Sequence, residues 1–321
     1  MSEFHHSLYE DLAGALDEPL SAPPSPLFDH HMHLGDARAT QVYHECALGY
    51  GVERALGIAT LERAREIRHA FGDFFLFCGW PPIRDVNLTA ELIDKCVREI
   101  EQQRDEGFVA LKFKIVPDRE GRAPRVWLDD PMLKPLFDRA QELGLAVQAH
   151  IAQPDAWWRR FYVDGRAGHK GHYFHQVEYL LDAHPGLTYV GVHMGGHPEN
   201  LAYLQQLIDT YPHFYVDTSA TKWTIREISR QHERAREFFI RNAGRILFGS
   251  DLVVQAGVSP TYYTSRFHVQ RMMWETPYNG RSMIRDPDSE TEPVICGLDL
   301  PAKVLKHIYW ENARRILDLA T

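Results

Sequence analysis

Long apolar runs are missing from this 321-residue chain. No stretch approaches the roughly 18 apolar residues that a membrane-spanning helix requires, so no membrane association is expected. Cysteine is scarce: Cys46, Cys78, Cys96 and Cys296 are the only four, and no two stand in a C-x-x-C pair. That argues against a disulfide-stapled secreted scaffold and fits reduced thiols in the cytoplasm. Residues 1–25 have neither the basic start nor the apolar stretch of a signal peptide, and no leader is expected. Dense Lys or Arg runs are absent too, with a net charge of −9 and a pI near 6. A nucleic-acid partner is not expected from that balance. Internal repeats and low-complexity tracts are also lacking.

What is present is alternation. Short β-branched or aromatic runs occur at residues 27–29, 52–59, 74–80, 108–115, 145–150, 187–193, 214–218 and 246–251. Turn residues bound them, as for buried parallel strands. Between them, 88–103, 130–143, 173–183, 199–210 and 301–319 show helical spacing of apolar residues. Strands alternating with helices predict a parallel α/β architecture. A doubly wound sheet would give the same alternation, and the placing of the polar residues decides for a (β/α)₈ TIM barrel. The expected organisation is a lead over 1–25 and one barrel domain over 26–321. Two segments, 117–126 and 261–298, exceed ordinary loop length. The second carries Tyr262, Tyr263, Arg271, Trp274, Tyr278, Arg281 and Arg285. Loops of that size on a barrel shape the site or form lids; the plainer reading is a surface excursion or an oligomer contact, which would suit a homodimer.

The first run leads into Asp29-His30-His31-Met32-His33. Side chains alternate along a strand, so His31 and His33 share a face and can chelate one ion. Asp29 is expected on that same face, one step deeper, where it would orient a histidine. With 18 histidines in the chain, such a pair alone means little. Its weight comes from His150, His193 and Asp251, which end the fifth, sixth and eighth runs. Catalytic groups on a barrel gather at the C-terminal ends of its strands.

These pieces resemble the amidohydrolase superfamily, in its amidohydrolase-2 branch. The matching stretches are FDHHMHLG, GFVALKFK, LAVQAH, HPGLTYVGVHMGG, FYVDTSA, RILFGSDLV and LPAKVLKHIYWENARRIL, in family order. The resemblance implies that His31, His33, His150 and Asp251 hold one divalent ion. It implies that His193 contacts substrate or the water on that ion, and that Asp251 also accepts a proton from the water. Three imidazoles and a carboxylate suit Zn²⁺, and also Mn²⁺, Fe²⁺ or Co²⁺. Such an ion acidifies water and polarises a carbonyl, while His193 would stabilise an oxyanion.

Lys112 and Lys114 alternate with Leu111, Phe113 and Ile115. Both lysines should therefore face the barrel interior, where a charge needs a reason. In binuclear superfamily members a carboxylated lysine on this strand bridges two ions. A single ion is expected here, with Lys112 or Lys114 touching substrate or Asp251. Trp157 and Arg281 are further substrate-binding candidates, although a packed helix start explains Trp157 equally well. Asp217 reads as structural, and Arg226-Glu227 as a surface pair of little worth. His169, His172 and His175 read as anion-binding or as solvated and capping.

The expected function is hydrolysis of a small-molecule amide, ester or lactone. The alternative is nonoxidative decarboxylation of an aromatic or unsaturated carboxylic acid, which the arginines of 261–298 would suit. A non-catalytic barrel is the third reading, and the intact ligand set speaks against it.

Overall fold

In the computed structural model, residues 20–83, 87–289 and 292–317 are described. Most of the lead expected over 1–25 lies outside them. Of the remainder, Leu20 packs on the core and Ser21 O accepts from Arg271 Nη2 at 2.5 Å.

Seven parallel strands follow one another around the sheet: β1 (Leu27–His33), β2 (Val52–Ile58), β3 (Phe75–Gly79), β4 (Phe108–Ile115), β5 (Ala146–Ile151), β6 (Tyr189–Gly191) and β7 (Phe214–Asp217). The eighth comes in two pieces. Its first, β8 (Ile246–Leu247), pairs with β7, and its second, β9 (Leu252–Val253), pairs with β1. Between them His30 N–H donates to Phe248 O at 2.9 Å and Asp251 N–H to His31 O at 2.7 Å. Strand eight thus joins strand one, and the (β/α)₈ barrel closes.

Helices connect the strands. In chain order they are α1 (Ala37–Gly49), α2 (Leu61–Phe71), α3 (Ala90–Asp105), α4 (Lys134–Glu142), α5 (Asp155–Arg160), α6 (Lys170–Ala183), α7 (Leu201–Thr210), α8 (Thr221–Ser229), α9 (His232–Arg241) and α10 (Pro260–Glu275). A π turn (His307–Glu311) joins α11 (Ala302–Lys306) to α12 (Asn312–Ile316). Side-chain caps start several of them: Asp36 accepts from Ala39 N–H, and Thr60 from Arg63 N–H. The helices α1 and α2 were not expected from apolar spacing.

The segment 261–298 is not one long loop. Its first part is α10, in which residues 265–274 are all buried. A helix buried all round has no polar face to reveal its period, which hid it in the sequence. Tyr263 and Trp274 are core residues, and the buried Arg271 is held by Glu275 at 2.7 Å. Only the part after α10 is an excursion, and it contains a hairpin of β10 (Asn279–Arg281) and β11 (Val294–Cys296).

The core has two shells. An outer one packs strands on helices, with Phe113 5.1 Å from Phe137 of α4. An inner one fills the barrel bottom with Phe28, Leu56, Cys78, Ala110, Val190, Tyr215 and Leu247, against Ala313 and Leu317. On β4, Ala110 points inward and Leu111 and Phe113 outward, so Lys112 and Lys114 face the interior as expected.

Alternation fails in β1. Its register against β2 shifts between Asp29 and Met32. Phe28 belongs to the inner shell and Met32 to the outer one, so a bulge lies between them. Asp29 is therefore not on the face of His31 and His33. It turns outward to α1, where it accepts from Tyr43 OH at 2.7 Å. His30, fully buried, takes the inward place next to Phe28, and neither of its ring nitrogens has a partner.

Candidate metal centre

The strand ends that were expected to converge do so at the C-terminal mouth. His33 Nε2 lies 3.3 Å from Asp251 Oδ1, and His31 Nε2 lies 3.4 Å from the same oxygen. Donor atoms of these three residues all fall within 4.8 Å of one another. His193 stacks on His31 with ring centres 5.2 Å apart, and its Nε2 is 3.9 Å from Asp251 Oδ2. His150 stands edge-on to His193 at 4.4 Å. It is not in the group of three, but its Nε2 is buried without a partner.

Asp217 fixes the direction of two rings. It is fully buried at the end of β7. His31 Nδ1–H donates to its Oδ2 at 3.0 Å. Ser219 Oγ–H donates to its Oδ1, and Ser219 Oγ in turn lies 2.7 Å from His193 Nδ1. A carboxylate only accepts, so His31 carries its proton on Nδ1. Ser219 spends its single proton on Asp217, so His193 Nδ1 must donate to Ser219. Both Nε2 lone pairs then point toward the site, as metal-binding histidines require. Burial drives the Asp217 carboxyl upward, but the hydrogen bonds from His31 and Ser219 favour its ionised form and hold it low. This role was missed. Asp217 ends its strand just as His150, His193 and Asp251 end theirs, and that position was the available signal.

Burial keeps His31, His150 and His193 neutral. It lowers His31 to about 4 and His193 to about 3, and sends His150 well down as well. Asp251 stays ionised: burial opposes this, but His193, His31 and His33 more than offset it. Burial also pulls Lys112 down to about 8, against the attraction of Asp251 and Asp217. Its Nζ donates to His31 Nε2 at 2.9 Å. Of the two strand-four lysines, Lys112 therefore reaches the cluster, through His31. Lys114, two residues on, is half-buried.

The backbone is strained around this mouth. Ala152, His193, Met194, Ala220 and Asp251 all have positive φ, between 53° and 62°. Each follows or ends a barrel strand. Such conformations cost on the order of 1–3 kcal/mol each and concentrate at functional sites. At Gly196 a Cβ would collide with the Ile151 carbonyl oxygen, so the turn after His193 packs on β5 only with glycine there. The outward Asp29 braces the same region rather than orienting a histidine ring. It accepts from Ser250 N–H at 2.9 Å and Ser250 Oγ–H at 2.5 Å, next to Asp251.

The remaining candidates lie apart from the cluster. Trp157 on α5 donates its Nε1–H to Asp288 at 2.7 Å. Arg281, on β10, is 57% exposed and pairs with Glu292. Arg226-Glu227 is not a surface pair: both are buried, and Arg226 also binds Asp286. His169 caps α6, accepting from Gly171 N–H at 3.1 Å, and His175 is exposed. All four cysteines are unpaired. No helix among the described residues is long and apolar enough to cross a membrane.

Comparison with known proteins accords with this geometry. The family model described as Amidohydrolase matches residues 3–319. Comparison with curated proteins finds no match. Among solved structures, 2,6-dihydroxybenzoate decarboxylase from Rhizobium is similar at 16% identity and TM-score 0.54, over 92% of this chain and 99% of that one. Dihydroorotase from Campylobacter jejuni has 14% identity and TM-score 0.55, over 92% and 84%. A 5-carboxyvanillate decarboxylase from Novosphingobium aromaticivorans, complexed with manganese and a nitrobenzoic acid, has 14% identity and TM-score 0.55, over 94% and 100%. At these identities the structures share the fold. The family match spans almost the whole chain, and the protein belongs to the amidohydrolase superfamily, in its amidohydrolase-2 branch.

Proposed function

We propose, from that membership, that the chain is a metal-dependent hydrolase of a small-molecule amide, ester or lactone. The observation that carries the reading is the convergence of His31 Nε2, His33 Nε2 and Asp251 Oδ1, with the His31 lone pair aimed by Asp217. The residues fit one divalent ion. Neutral imidazoles and an ionised carboxylate suit Zn²⁺ first, with Mn²⁺, Fe²⁺ and Co²⁺ also acceptable. The unpartnered His150 Nε2 is the natural fourth donor. Among possible solved likenesses, the manganese complex of the carboxyvanillate decarboxylase keeps Mn²⁺ among the candidates.

Such an ion, when bound, supplies Lewis acidity and makes a water acidic near neutral pH. The chain's own groups do the rest. Asp251 Oδ2 faces His193 at 3.9 Å and takes up a proton released in the site. His193 Nε2, bare by its Nδ1–H bond to Ser219, is an acceptor. In that tautomer it orients a substrate or water O–H or N–H rather than stabilising an oxyanion. The oxyanion role passes to Lys112, the buried ammonium that meets His31. That ammonium must leave the His31 lone pair for the ion to take it. A cytoplasmic setting suits its unpaired cysteines.

Nonoxidative decarboxylation remains the second reading, on a changed footing. Arg271 and Arg281 no longer support it, since Arg271 is committed to Glu275 and Arg281 to Glu292. Lys112 does, because a buried ammonium suits a carboxylate, and decarboxylases stand among the similar structures. Metal-loaded enzyme offered aryl and muconate-type acids beside an ester, lactone and amide panel separates the two. Hydrolysis products without CO₂ are expected; CO₂ alone would overturn the hydrolase.

A further inference from the structure

The mouth of the site is unevenly open. Asp251 and His33 have side chains 30% and 28% exposed, whereas His193 is 2% exposed and the half-buried His150 has its Nε2 sealed from solvent. The β10–β11 excursion sends a strap to Trp157 and Arg226, on the helices that follow β5 and β7. It is anchored where Ser282 N–H donates to Pro293 O at 2.7 Å. Its tip is a local turn, with Asp288 N–H on Asp286 Oδ1 at 3.1 Å and Ser289 N–H on Asp286 O at 3.2 Å.

Two side chains of the tip fasten it to the barrel. Asp286, 4% exposed, pairs with Arg226 of α8. Asp288 accepts from Trp157 of α5. Those helices follow β7 and β5, so the tip bridges the end of β6, where His193 sits. Trp223, one turn before Arg226, places its ring 5.9 Å from His193 and 6.5 Å from His150. The clasp is polar and incomplete. Arg226 Nη2 is buried without an acceptor, and every residue from Arg285 to Ser289 is at least partly exposed. Among the described residues of this turn none is fully buried, unlike Met283 and Ile284 at its root.

We propose that residues 285–289 form a clasped cover over the His150–His193 side of the site, opening to admit a small molecule and closing over it. Asp286 on Arg226 and Asp288 on Trp157 are the clasps. The inference takes these histidines as part of the site proposed above, but its test needs no ion.

The test is acylation of metal-free full-length protein by diethyl pyrocarbonate, read histidine by histidine by mass spectrometry. In the double variant Asp286→Ala, Asp288→Ala, which removes both acceptors, Glu227 still holds Arg226, so the guanidinium is not stranded. His150 and His193 should be labelled at least threefold faster, with the exposed His69 unchanged as control. Amides of 285–289 should exchange faster, while those of the barrel strands do not. Faster strap exchange with unchanged labelling of His150 and His193 would mean that the strap moves without covering anything, and the proposal falls. Should the double variant misfold, Trp157→Phe removes one clasp alone and must give the same change at smaller size. Failure of the metal reading would show separately, as wild-type protein purified without chelator and carrying no ion by elemental analysis.

Discussion

Along β4, Ala110 lies in the apolar plug of the barrel, while Lys112, two residues further on, meets His31. The same step recurs around the ring. Ala146 is followed by Gln148 and His150 on β5, and Tyr215 by Asp217 on β7. One inward-facing layer is made of groups that gain by leaving water. The next is made of polar and ionisable groups, several with nitrogen or oxygen atoms that no neighbour satisfies: His30, Gln148 Oε1 and His150 Nε2. Unsatisfied buried polar atoms cost stability, so the upper layer is tolerated for what it does, and the lower layer supplies what it costs. This division between the two ends of the barrel is the expected one for the fold.

The largest effect should come from breaking the lower layer. Phe28 is fully buried there, 6.3 Å from Trp310. Phe28→Ala should destabilise the protein by about 3–5 kcal/mol in denaturant titrations of metal-free enzyme. Ion affinity per folded molecule should not change. If affinity collapses together with stability, the layers are one unit and the comparison fails.

An upper-layer change that removes no heavy atom should do the opposite. Asp217→Asn keeps the shape but brings an N–H₂ against His31 Nδ1 or Ser219, releasing the ring tautomers. Ion affinity should fall on the order of 10–100-fold, as for other groups that orient a ligand from behind. Competition with a chromophoric chelator measures it, and the folded fraction should barely move. An affinity within twofold of wild type would show that Asp217 is structural after all.

The legibility of these layers in the sequence follows the same divide. The strands were found because burial on both sides makes short apolar runs, and the residues that converge at the mouth because they terminate those runs. Where burial erases pattern, reading failed: α10, all of whose residues 265–274 are buried, passed for loop. The bulge in β1 failed for another reason. Alternation assigns faces only while the register holds, and nothing in Asp29-His30-His31 announces the extra residue. Asp217 and Arg226 were undervalued because a partner 186 residues away, or 60 in the case of Asp286, cannot be seen from local spacing.

The smallest effect tests the boundary of the upper layer. Arg281 was a candidate for substrate binding, yet its side chain is 57% exposed and its partner Glu292 is 61% exposed. A surface pair of that kind is worth about 0–1 kcal/mol, so Arg281→Ala should change stability by no more than about 0.5 kcal/mol and leave ion affinity alone. Its β10 strand nonetheless leads directly into the strap. If Arg281 follows the strap inward when a ligand is enclosed, KM for an anionic substrate will rise in the variant while KM for a neutral one does not. Equal KM values for both substrates in variant and wild type would confine recognition to the barrel mouth itself, leaving Lys112 as the cation that a substrate meets.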